Sequence, residues 1–334
     1  QIGKSIKIGF SHSLKMDDDA EDKKKNRNKQ NTSRSNNDAE DDNDYVKLIQ
    51  GEITAIETSF NDKSQAPIIV RGYDVSHRLY RGRYNRSFQN MTDSDIVKKI
   101  ATEVGITIGK IEDTNIPHDY IFQSNQNNME FLRERATRQG FELYIQDGKI
   151  YFRKPKYDTD LKLKWLEEIH SFRVRVTSAE QVKEVEVRGW DYSNKRPIVA
   201  TKTEPGLITE TNNGIGSETN DKFNKLPRPR MVVVDKPVFN PKEADVIAQA
   251  LCDELGGQFV YADAKAEGNT DIRTGRVVEL SEMGQHDGKY YITETRHLYQ
   301  ERVYSTEFSV RGLRGGDLIS ILSPQTHLKP GQTS

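Results

Sequence analysis

The chain has 334 residues, of which 34% are hydrophobic. That is enough for two or three domains with a sizeable core. Charged residues make up 30%, yet the signs cancel to a net charge of -1, so the basic bias of a nucleic-acid binder is missing. No run of about 18 apolar residues exists, which predicts no membrane-spanning helix, and the N-terminal QIGKSIKIGF lacks the apolar core of a signal peptide. Cys252 is the single cysteine. Internal disulfides and cysteine zinc sites are thereby excluded, and folding in a reducing compartment is expected.

Taken in chain order, residues 17–44 read DDDAEDKKKNRNKQNTSRSNNDAEDDND, with Ala20 and Ala39 as the only apolar residues. Such a segment has too little to bury to offset its ordering entropy, so a disordered insertion between two strands is expected. YVKLIQGEITAIETSF, the turn NDKSQ and APIIVRGYD then predict a β-hairpin. A helix follows with Thr92 as N-cap, Asp93 and Asp95 in its first turn, and Ile96, Ile100 and Val104 on one face, stopping at Gly105. A second helix is expected from about Ser124, with Met129, Leu132 and Ala136 as its stripe and Gly140 as its end. FELYIQDGKIYFRK predicts a hairpin turning at Asp147-Gly148. Residues 82–157 therefore read as a small α/β insert.

SFRVRVTSAEQVKEVEVRG alternates in the same way as the first hairpin and predicts another. GLITETNNGIGSETNDKFNKLPRPR reads as loop. Asn240, Pro241 and Glu243 then mark a helix start, and Val246, Ile247, Ala250 and Leu251 form its apolar face over 241–255. YYITETRHLY and VYSTEFSVRG predict a third hairpin. The three long hairpins, unlike the short one at Asp147-Gly148, close on Val-Arg-Gly: Arg71-Gly72, Arg188-Gly189 and Arg311-Gly312. An aromatic residue and an aspartate follow twice, ending in Asp74 and Asp191. A repeated β unit is the reading this supports. Each glycine is expected to permit a bulge or a close backbone approach, and each arginine to pair with a neighbouring acid.

Chemistry is sparse. The histidines (His12, His77, His118, His170, His286, His297 and His327) show no metal-ligand spacing. No nucleophile elbow or phosphate-cradling loop is present. Glu52/Glu57 and Glu167-Glu168 could suggest a carboxylate pair, but they lie in or beside alternating strands, where a solvated face explains them. Cys252 falls on the apolar side of a helix and reads as a small core residue. No catalytic, cofactor or metal residues are assigned.

Four stretches, in order, carry a family resemblance. They are VRGYDVSHRLYRG, QSNQNNMEFLRERATRQGFELYIQDGKIYFRKP, VVVDKPVFNPKEADVIAQALCDELGGQF and GNTDIRTGRVVELSEMGQHDGKYYITETRHLYQERVYSTEFSVRG. Together they resemble the hub or spike-base proteins of contractile injection systems, the group of phage late control protein D and the N-terminal part of VgrG proteins. The resemblance covers about residues 51–312. It implies an α+β, mainly β fold with two similar tube-type β-barrels, 1–81 and 158–318, around the insert 82–157, and a linker at 319–334. It also implies a homotrimer whose six barrels match a hexameric inner tube protein, with a spike tip protein and baseplate proteins as further partners. No cofactor and no nucleic acid are implied. Assembly in the cytoplasm into a phage-tail-like particle is expected. The polar insertion at 17–44 and the ending ISILSPQTHLKPGQTS depart from the larger members of the group, which continue into a small β-barrel and a needle. The rivals are a tail-associated cell-wall hydrolase, which needs a cleft with perturbed acids, and a carbohydrate- or nucleic-acid-binding β module, which needs aromatics interleaved with cations. The nearest match to the latter is Tyr73, Tyr80 and Tyr84 beside Arg71, Arg78, Arg81 and Arg83.

Overall fold

The structure is a computed structural model. It describes residues 2–11, 45–60, 67–156, 161–206, 216–217, 219, 229–235 and 237–312. The expected insertion 17–44, most of the loop after Gly206 and the linker 319–334 lie outside these residues. The chain forms two compact units, residues 1–75 and residues 76–334.

The first unit is a three-stranded antiparallel sheet of β1 (Ser5–Ser11), β2 (Tyr45–Thr58) and β3 (Ile68–Tyr73), in the order β1-β2-β3. The expected hairpin is β2–β3. Its register slips between Ile53 and Ala55, so Thr54 is the extra residue of a bulge opposite Gly72 and Arg71. Ser11 lies opposite Tyr45 at the end of the β1–β2 ladder.

The second unit begins with the insert. Its strands are β4 (Tyr84–Thr92), β5 (Thr107–Ile111), β6 (Pro117–Gln126), β7 (Glu142–Gln146) and β8 (Lys149–Arg153); its helices are α1 (Asp93–Glu103) and α2 (Asn128–Gln139). β4 and β6 form a ribbon, and β5-β8-β7 a small sheet. Thr92 closes a capping box on α1: its hydroxyl accepts from the Asp95 amide at 3.2 Å, and the Asp95 carboxylate accepts from the Thr92 amide at 3.3 Å. The second helix starts later than the sequence suggests. Residues 124–126 finish β6, and Asn127 is the cap, accepting from the Glu130 amide at 2.8 Å while Glu130 accepts from the Asn127 amide at 3.1 Å. The run of polar residues hid the cap because every position in it was a plausible one. Asp147 and Gly148 both have positive φ, 51° and 73°, the geometry a two-residue hairpin of native twist requires. Ile96, Ile100, Leu132, Ile150 and Phe152 are fully buried here, and Phe88 stacks on Phe131 with ring centroids 5.5 Å apart.

The rest of the unit holds β9 (Lys162–Lys164), β10 (Ile169–Val176), β11 (Glu184–Asp191), β12 (Arg196–Lys202), β13 (Arg230–Val233), α3 (Pro241–Gly257), β14 (Val260–Glu267), β15 (Val277–Ser281), β16 (Gly288–Gln300) and β17 (Val303–Arg311). Six strands form one sheet in the order β10-β14-β17-β16-β15-β9. All six send residues into one core, among them Leu163, Ile169, Ala264, Leu280, Tyr290 and Phe308. A sheet that buries one face against itself must curl. Its two outermost strands are consecutive in the chain, and Trp165, just after β9, forms an isolated bridge with Ile169 at the start of β10.

The third predicted hairpin is β16–β17. The middle one does not form, because β10 and β11 belong to different sheets. β10 turns Phe172 and Val174 to the six-stranded core, whereas β11 turns Val185 and Val187 to a second core under α3. Gln181 pins the connection by donating to the Leu255 carbonyl at 2.6 Å, and β11 pairs instead with β12 and, in parallel, with β13. Alternation specifies a strand but not its partner. α3 has the expected cap, with Asn240 accepting from the Glu243 amide at 2.8 Å. The Glu243 carboxylate, however, turns to the Phe239 amide at 3.2 Å. The expected class, α+β and mainly β, is the class observed.

Candidate assembly surface

The three Val-Arg-Gly sites lie in three different sheets. In β3, Arg71 donates to both Glu57 oxygens, at 2.7 and 3.3 Å. That hydrogen bond and the charge of Arg71 lower the Glu57 pKa, and Glu57 in turn raises that of Arg71. Both groups are more than half exposed, so the pair adds little stability. Gly72 has ordinary backbone angles; a Cβ there would stand 2.9 Å from the Glu52 carbonyl oxygen. Asp74 follows the strand directly.

In β11, Arg188 pairs with Glu186, whose other oxygen lies 3.7 Å from Arg230. Gly189 admits Val238: a Cβ at Gly189 would stand 2.8 Å from the Val238 carbonyl oxygen and 3.0 Å from its Cβ. Asp191 organises the turn to β12. It accepts from the Asn194 side chain at 2.7 Å and from the Asn194 and Ser193 amides at 3.0 and 3.1 Å. Those bonds, the Asn194 side chain first, lower its pKa.

At the third site, Arg311 ends β17; its guanidinium lies 4.9 Å over the Tyr261 ring and donates to the Tyr261 hydroxyl at 2.9 Å. Gly312 donates to the Val260 carbonyl at 3.0 Å. Two sites thus share a glycine at a close backbone approach and an outward aromatic residue, Tyr73 and Trp190.

The candidate carboxylate pairs are occupied by local partners. Glu57 holds Arg71, Glu167 holds Lys164, and Glu168 accepts the Lys164 amide at 2.8 Å. Among the described residues no group of three or more His, Cys, Asp or Glu is placed to hold a metal. Cys252 is buried, and burial, with Asp253 beside it, pushes its thiol up to about 11.

One buried polar network was not legible in the sequence. Asp93 is fully buried and accepts from Arg135 at 2.5 Å and from Gln139 at 2.6 Å, with His118 Nε2 at 3.3 Å. Burial alone raises the Asp93 pKa. The Arg135 charge and the bonds from His118 and Arg135 more than offset it and hold the carboxyl well below its ordinary range. The only signal in the sequence was a first-turn aspartate, the commonest of helix acids. Nothing tied it to residues 25 and 42 positions away.

What the described surface does offer is apolar strand faces. Ile8, Ile49, Ile68, Ile69 and Val70 are exposed on the β1–β3 sheet, Tyr120 and Phe122 stack on the open side of the β4–β6 ribbon, and Trp190 and Val199 are exposed on the sheet that α3 covers from the other side. Such surface marks interaction sites on assembling proteins. No described helix is long and apolar enough to cross a membrane.

A mainly β chain with a curled six-stranded sheet and an α/β insert has the architecture of phage tail proteins. The 43 kDa tail protein of prophage MuSo2 from Shewanella oneidensis superposes with a TM-score of 0.60 at 14% identity, covering 79% of this chain and 78% of that one. The tail protein from Neisseria meningitidis MC58 gives 0.56 at 15%, covering 79% and 80%. The E. coli c3393 protein, described as a component of the type VI secretion system with structural similarity to T4 bacteriophage tail proteins gp27 and gp5, gives 0.50 at 14%, covering 80% of this chain and 61% of that one. Residues 41–301 match the family model of the Alg8 N-terminal domain, and the chain belongs to that family. No curated protein matches it in sequence.

Proposed function

We propose that this chain is the structural hub of a phage-tail-like contractile injection particle, a homotrimer that joins the hexameric inner tube to the spike and baseplate and acts without catalysis of its own. The observation that carries the reading is the fold likeness to prophage tail proteins over nearly four-fifths of both chains. The sequence resemblance to hub proteins supports it independently, because its four stretches follow one another in the order of that group. The exposed strand faces supply what such a role needs, since a hub transmits axial force through satisfied strand edges and buried faces between subunits.

In this reading residues 1–81 and 158–318 are the two tube domains of each chain and 82–157 the insert between them. Arg71, Gly72 and Asp74 then correspond to Arg188, Gly189 and Asp191, and to Arg311 and Gly312. The test is light-scattering mass of the purified full chain, alone and mixed with the inner-tube protein and the spike protein of the same particle. A mass three times that of the chain, with the tube protein co-eluting, is expected. A monomer that captures neither partner refutes the hub.

A further inference from the structure

Among the described elements the insert's substantial contact with the rest of its unit is α2 lying against α3. In that contact sits one ion pair between residues 105 positions apart. Arg138, in the last turn of α2, donates through Nη2 to the Glu243 carboxylate at 3.2 Å and to the Pro237 carbonyl at 2.8 Å. Both side chains are largely shut from solvent, 11% and 5% exposed. The other Glu243 oxygen accepts the Phe239 amide at 3.2 Å, so the carboxylate also fixes the chain entering α3.

This contact is not what maximal stability would select. The Arg138 Nε is buried with no hydrogen-bond partner, and burial, with the nearby Arg135 cation, lowers the Arg138 pKa. A buried ion pair contributes little more than a packed apolar pair of the same volume. Its distinctive property is direction: two charge-assisted bonds from one planar group hold only one geometry. Each module has buried residues of its own, Leu132, Ile150 and Phe152 in the insert and Val185, Val187 and Leu251 under α3.

We infer that Arg138 is a latch, holding an otherwise hinged insert in one orientation on α3, and that breaking the Arg138–Glu243–Pro237 contact frees the insert to move as a rigid body. The inference rests on this contact alone and stands whether or not the chain is a hub.

The test uses the full chain with spin labels on Lys149→Cys and Lys242→Cys, both exposed positions, in a Cys252→Ala background. The parent is expected to give one narrow inter-label distance. Arg138→Met strands Glu243, so the paired variant Arg138→Met with Glu243→Gln, which removes both charges, keeps the question open to an answer if the single variant fails to fold. In the paired variant the distance distribution is expected to broaden at least twofold. Hydrogen exchange should rise about tenfold in the last turn of α2 and over 237–243, with protection in the cores of α1 and β14 unchanged. An unchanged narrow distance, or loss of protection across the insert core together with the contact, overturns the latch.

Discussion

Gly189→Val tests how β11 meets the segment before α3. The glycine has no unusual backbone angle to protect, so the cost is steric. A Cβ would stand 2.8 Å from the Val238 carbonyl oxygen and 3.0 Å from the Val238 Cβ, both closer than van der Waals contact. Val238 is 3% exposed and packs in the core with Val187, Ile247 and Leu251, so it cannot retreat without moving neighbours. Valine then adds two further carbons. Overpacking of this kind costs about 1–3 kcal/mol, and a kilocalorie shifts the midpoint of a domain of roughly 150–250 residues by about 2–4 °C. Thermal unfolding by circular dichroism should therefore show a fall of about 2–12 °C. Gly189→Ala should lose less than Gly189→Val, and Val199→Thr, on the exposed face one ladder away, should stay within about 1 °C. A Gly189→Val protein that melts with the parent would show that Val238 is free to move, and the close approach would then set nothing.

Asp93→Asn should cost about 3–5 kcal/mol, because it leaves the buried Arg135 without its counter-charge. The Asp93 pKa is lowered on folding, so its contribution is complete above the unfolded carboxylate value of about 3.9 and is lost as pH falls from there through the lower folded value. Urea midpoints of parent and variant should differ at pH 6 and converge below about pH 4; a gap that stays constant would exclude the carboxylate as its source. Cys252, buried with its thiol raised to about 11, should resist a disulfide reagent at pH 7.5 in the native chain and react at once in denaturant; equal rates would place it at the surface. Gly72→Val should disturb the β2–β3 bulge, where a Cβ meets the Glu52 carbonyl oxygen at 2.9 Å, and lower the yield of the proposed trimer; assembly equal to the parent would dissolve the proposed correspondence with Gly189. Replacing residues 12–44 by a two-residue Asn-Gly turn should leave the chain folded, since Ser11 already lies opposite Tyr45; an aggregated product would show that the segment has a structural part.

Local chemistry was legible in the sequence and long-range pairing was not. Thr92, Asp147-Gly148 and Asn240 act as their residue types predict, because a cap or a two-residue turn is decided within four positions. Two of the three long hairpins were legible because a short connection leaves antiparallel strands little choice. β10 and β11 show the limit. Their connection is about as short, but each strand's apolar face answers to a core built by residues dozens of positions away. The Asp93–Arg135 network and the Arg138–Glu243 contact were hidden for the same reason: charged residues on a helix ordinarily face water, and only the assembled fold shows which few do not.

The order of strands in the six-stranded sheet also sets a schedule for synthesis. β9 and β10 emerge first, but their partners are β15 and β14, and the sheet is not whole until β17 has been made. From Lys164 to Val303 roughly 140 residues intervene, about 7–30 s of translation at 5–20 residues per second. The insert, complete by Arg153 and wired by nearby pairings, can fold well before that interval ends. The two early strands wait beside it with unpaired edges. A nascent chain is therefore most exposed to aggregation between the completion of its middle module and the arrival of its last hairpin.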